Sequence, residues 1–140
     1  MRKEIENTTS KAERARTITI DALTTHCPFY RKGQPVYAVE NRGLLCIAYR
    51  IAEGFPSLLP RFDLNILSGE EGNECIIADF RVEPRGQGRG TQLWKAVNTI
   101  CSHLDVKTVK VYPSGPRTYE FYEKKGFNRR EDGEYWYEMK

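Results

Sequence analysis

Residues 85–90 read Arg-Gly-Gln-Gly-Arg-Gly, and their neighbours give that run a chemical meaning. A β-like segment, Glu74 to Val82, precedes it, and a helix-spaced apolar pattern follows it. Glycine admits positive φ and lets a ligand approach backbone N–H groups closely. A helix start adds four unpaired N–H donors and the positive end of its dipole. With Arg85 and Arg89 beside it, such a turn is suited to hold a phosphate or pyrophosphate. The run lacks the Gly-Lys-Ser/Thr ending of a P-loop. It also does not follow a first parallel strand, as the dinucleotide fingerprint does. A plain tight turn and an arginine–glycine RNA segment are the competing readings, but such RNA segments are normally disordered and repeated.

Other chemistry finds less support. The four cysteines, Cys27, Cys46, Cys75 and Cys101, form no CxxC pair, and the only histidines are His26 and His103. No metal site and no thioredoxin-type redox site is expected from that spacing. Reduced thiols with packing roles are the expectation.

The elements that must position the glycine run are legible by period. Leu93, Ala96, Val97, Ile100, Cys101 and Leu104 make one apolar stripe, which predicts a helix of about four turns. Before it, Val36 to Val39 and Leu44 to Ile51 flank the turn Asn41-Arg42-Gly43 as a hairpin. Arg61 to Leu67 alternates, and Ser68 to Asn73 is a turn cluster before the strand Glu74 to Val82. After the long helix, Val109 and Val111 mark a strand, Gly115-Pro116 opens a short helix that ends at Gly126, and Glu134 to Lys140 alternates as a last strand. Residues 1–15 read as a flexible polar arm, Thr17 to Ile20 alternates like a strand, and short helices are expected near 21–32. A meander followed by strand–helix–strand–helix predicts a mixed α/β domain over 1–140, with a mostly antiparallel sheet, a partly parallel centre and flanking helices.

Composition sets the outer limits. The 140 residues suit one domain, and 39% hydrophobic with 29% charged residues reads as globular. No apolar run approaches the ~20 residues of a spanning helix, so no membrane role is expected. Met1 to Arg16 lacks a signal-peptide core, so a cytoplasmic protein is expected. Lys and Arg number 22 against 19 Asp and Glu, too small a bias to indicate nucleic acid.

Two stretches taken together resemble the GNAT superfamily of acyl-CoA-dependent N-acetyltransferases. Asp79-Phe80-Arg81-Val82-Glu83-Pro84 followed by Arg85 to Gly90 is similar to the central motif, and Phe121-Tyr122-Glu123-Lys124-Lys125-Gly126-Phe127 looks like the second signature. The likeness spans about residues 36–140. It departs from the family pattern at Pro84, which abuts Arg85 directly, and at Gly115, where an asparagine is common.

The resemblance implies acetyl-CoA as cosubstrate and direct attack by an amine of a protein or small molecule. The cofactor would be held by Phe80, Arg81, Val82, Arg85, Gly86, Gln87, Gly88, Arg89, Gly90 and Thr91. Tyr122 would protonate the departing thiolate, with Tyr119 as substitute. Acyl transfer also needs the amine to lose a proton. Strand alternation groups Cys75, Ile77, Asp79 and Arg81 on one face, so Asp79 is the expected base, a carboxylate raised by apolar neighbours, with an Asp79–Arg81 ion pair on a solvated face as the competing reading. Glu74 or water is the alternative. Lys124, Lys125, Arg129 and Arg130 could meet the 3′-phosphate or be plain solvated surface. A non-catalytic module binding CoA or RNA phosphates is the alternative function.

Overall fold

The structure, a computed structural model, describes residues 10–50, 60–81, 88–113 and 115–140. Among these residues ten elements follow in order: α1 Lys11–His26, β1 Val36–Asn41, β2 Leu44–Tyr49, β3 Arg61–Leu67, β4 Asn73–Arg81, α2 Arg89–His103, β5 Val106–Val111, α3 Pro116–Lys124, β6 Asn128–Arg129 and β7 Tyr135–Glu138. The strands form one seven-stranded sheet in the order β1-β2-β3-β4-β5-β7-β6. Among the described strands only β4 and β5 are parallel, as the strand–helix–strand pattern around α2 requires.

Paired residues across the ladders share a face, and one face carries the core. Phe62, Leu64 and Ile66 of β3 pair with Phe80, Ile77 and Cys75 of β4, and Cys75 and Ile77 pair in turn with Val109 and Val111. The predicted stripe of α2 buries Leu93, Ala96, Val97, Ile100 and Cys101 against this face, and Trp94 joins them. Trp94 meets Phe127 and Tyr137 at 5.1 and 5.3 Å between ring centroids. Burying a large aromatic contributes more than one aliphatic side chain, so this cluster anchors α2 to the end of the sheet.

The N-terminal region differs from its sequence reading. Residues 11–26 form one helix, neither an arm to residue 15 nor a strand at 17–20. The Ser10 side chain accepts from the Glu13 N–H at 3.0 Å, which caps the first turn. Thr19 is fully buried, and its hydroxyl donates to the Ala15 carbonyl at 2.7 Å, so a residue that alternation assigns to a strand satisfies itself inside a helix. Packing decides the outcome. Ala15, Ala22 and Leu23 are buried on one side, and His26 reaches the Thr99 hydroxyl of α2 at 3.0 Å. Replacing Ser10 by Ala should lower stability by about 1 kcal/mol in urea unfolding; an unchanged midpoint would contradict the cap.

Candidate active site

The site begins with an irregularity in β4. Asp63 pairs with Asp79 and Leu64 with Ile77, so Ala78 is an extra residue, a β-bulge. The bulge reverses the faces from Asp79 onward. Phe80 joins Cys75 and Ile77 on the helix-covered face, while Asp79 and Arg81 follow Asp63 and Arg61 onto the opposite face. Sequence alternation, blind to the extra residue, groups Asp79 with Cys75 instead.

At the same place β4 leaves β5. Their ladder ends at Ile77↔Val111, yet β4 continues to Arg81. Among the described residues no strand pairs with the outer edge of 78–81. α3 overlooks that opening. Phe80 packs on Phe121 and Tyr122 at 5.6 and 6.2 Å, and Tyr122 also meets Phe127 at 5.0 Å. Gly126, with φ +98, ends α3 in the left-handed conformation that favours glycine. The following Phe127 N–H then donates back to the Tyr122 carbonyl at 3.0 Å, which turns Phe127 under Tyr122.

Tyr122 is 3% exposed. Burial first, and the nearby negative charge of Asp79 second, raise its phenol well above the ordinary tyrosine value. The hydroxyl therefore keeps its proton throughout the neutral range. Tyr119, by contrast, stacks on Tyr135 at 5.9 Å and faces β7.

The start of α2 supplies positive potential. Gly88 caps it at φ +74 with no side-chain hydrogen bond, and the first turn carries no acidic residue. From the end of α3, Lys125 donates to the Thr91 hydroxyl at 2.7 Å, so its ammonium sits at the same helix start. Of the predicted cofactor residues, Phe80, Arg81, Gly88, Arg89, Gly90 and Thr91 are described, and Val82, Arg85, Gly86 and Gln87 lie outside the described residues. Among the basic candidates, Lys125 reaches the helix start, Lys124 pairs with Glu120 at 2.9 Å, and Arg129 and Arg130 lie against Tyr119 and Trp136.

Asp79 does not have the apolar surroundings expected of it. Its Oδ2 lies 2.8 Å from Arg61 Nε and its Oδ1 3.4 Å from Arg81 Nε. The partner that alternation could not supply is Arg61, brought over from β3 by the register. Glu74 pairs with Lys110 at 3.1 Å, five residues and about 16 Å back along the strand.

Comparison with solved structures places this architecture. The chain is similar to a Klebsiella pneumoniae protein assigned as an acyl-CoA N-acyltransferase, at TM-score 0.51 and 16% identity over 94% of this chain and 92% of that one. A tandem GNAT protein from the clavulanic acid biosynthesis pathway gives TM-score 0.50 at 15% identity, covering 91% of this chain and 38% of that one. The AtaT–AtaR complex with bound DNA gives TM-score 0.50 at 18% identity over 67% of this chain and 68% of that one. No protein-family model matches the chain, and no curated protein matches it by sequence. The chain has the GNAT fold.

The shifted phenol has a measurable consequence. Because the unfolded tyrosine ionises near pH 10 while the folded one stays protonated, folding stability falls as pH rises above about 10, by about 1.4 kcal/mol per unit. Tyr122→Phe lacks this term. The stability advantage of wild type over the variant should shrink by about 1.4 kcal/mol between pH 8 and pH 11 in urea unfolding. A constant difference would show that Tyr122 is not held protonated.

Proposed function

We propose that this protein is an N-acyltransferase that moves an acetyl group from acetyl-CoA to an amine by direct attack. One observation carries the reading. The strand edge freed at Ile77, the buried and protonated Tyr122, and the cationic start of α2 all border one opening in the sheet. The resemblance in the two sequence motifs supports it independently.

Acetyl-CoA supplies an activated acyl group and a pyrophosphate. The helix start at Gly88 to Thr91, with Lys125, would take the pyrophosphate through backbone N–H groups and charge, and the free edge of residues 78–81 would take the amide groups of the arm. Phe80, Phe121 and Phe127 exclude water around Tyr122. Tyr122 would then give its proton to the sulfur as the C–S bond breaks. The phenol and a coenzyme thiol have comparable acidity in water, and the burial that disfavours a phenolate would equally disfavour a thiolate left in the same place, so the proton passes between two groups of matched cost. The amine loses its proton to water in this scheme, since Asp79 is occupied by two guanidiniums.

The buried Cys27 and Cys75 have no part in this scheme. Burial pushes the Cys27 thiol up to about 12, and a hydrogen bond with the Cys101 thiol, then burial, raises Cys75 well above the ordinary thiol value. These thiols stay protonated and poorly nucleophilic.

Saturating acetyl-CoA should stabilise the protein by about 2.7 kcal/mol at 100 times its Kd, read as a rise in Tm. Gly88→Asp should remove the rise, because it puts a side chain at positive φ and a negative charge where phosphate would sit. A Tm indifferent to millimolar acetyl-CoA would sink the reading. Tyr122→Phe should lower kcat for CoA release with amines by about 10²–10⁴-fold while the Tm rise persists. Saturable binding without turnover by any amine would point instead to a non-catalytic module.

A further inference from the structure

Among the described residues, the face of the sheet opposite α2 carries, at the edge of the β4–β5 opening, two guanidiniums for one carboxylate. Arg61 and Arg81 stand directly opposite each other across the β3–β4 ladder. Like charges in that position repel. Asp79 lies between them and contacts both by their Nε atoms. One carboxylate for two guanidiniums leaves a charge of +1 at the pair. The next charged pair on this face cannot relieve it: Arg50 donates to both oxygens of Asp63, at 3.2 and 3.0 Å.

The donors of the pair are also unspent. Arg61 Nε is buried and, although close to Asp79, makes no directed hydrogen bond. Among the described residues no hydrogen bond engages the Nη groups of Arg61 or Arg81. Two guanidiniums held side by side, with outer N–H groups that no described residue engages, match the paired oxygens of a carboxylate or a phosphate.

The bulge decides what such an anion would belong to. It turns Asp79 and Arg81 to the face opposite Phe80 and Tyr122. An acyl group entering from the helix side would meet its amine from the open side, where the arginines are. We infer that Arg61 and Arg81 bind an oxyanion carried by the acyl acceptor beside its amine, so that the substrate class is an amine bearing a carboxylate or a phosphate, with Asp79 as the positioning residue that sets the two guanidiniums. This rests on the acyltransferase reading.

Matched acceptors test it: glycine against glycinamide, and phosphoethanolamine against ethanolamine, each assayed for kcat/KM with acetyl-CoA and titrated calorimetrically into the protein. The anionic member of at least one pair should be preferred by about tenfold to a hundredfold, and the pair that shows it identifies the oxyanion. Arg81→Gln, at an exposed position, should abolish the preference by raising KM for the anionic member alone. Lys107→Gln, the same charge change at the far end of β5, should keep it. Equal kcat/KM and equal affinity within both pairs, in protein that still gains Tm with acetyl-CoA, would overturn the clamp and leave the acyltransferase standing. No Tm gain with acetyl-CoA would remove the acyltransferase and the clamp with it.

Discussion

The parallel ladder between β4 and β5 stops at Ile77↔Val111, and the candidate site follows from that stop. A continuous ladder would close the sheet and leave Tyr122 facing a filled wall. The stop coincides with the bulge at Ala78, where two residues of β4 oppose one of β3. A bulge bends its strand and increases local twist. β4 is held to β3 on one side through Arg81, so its departure has to be away from β5. The strand thus stays ordered while its other edge is free to receive a ligand.

Around that opening the helices serve distinct purposes. α2 is fixed by its apolar stripe and by Trp94, which sets the glycine start of the helix beside the end of β4. α3 is short, and most of its hold comes from aromatic contact with Phe80, Phe127 and β7. The Lys125–Thr91 hydrogen bond then ties the end of α3 to the beginning of α2. Among the described residues no helix is long and apolar enough to cross a membrane.

Much of this was legible in the sequence because it depends on local period. The stripe of α2, the hairpin of β1 and β2 and the strand–helix–strand centre all come from residues within one element. What the sequence reading missed lies between elements. Alternation along β4 cannot register an unpaired Ala78, so it groups Asp79 with Cys75 and Ile77, which lie on the other face. Its partner Arg61 sits 18 positions earlier and meets it only through the β3–β4 register. Helix α1 departs from its sequence pattern for a different reason: Thr17 to Ile20 has strand-like composition, but burial of Ala15, Ala22 and Leu23 overrides it. A usable signal was present, since Ser10 and Glu13 stand at capping-box spacing.

Amide hydrogen exchange with and without acetyl-CoA tests the use of the opening most directly, because it reports on the backbone groups themselves. Bound acetyl-CoA should slow exchange at the one N–H of the Phe80–Arg81 pair that points to the free edge of β4 and at the start of α2, Arg89 to Thr91, while β1 and β2 exchange as before. Slowed exchange confined to any other part of the sheet, with these two segments unaffected, would contradict the assignment of the β4–β5 opening as the acyl-CoA site.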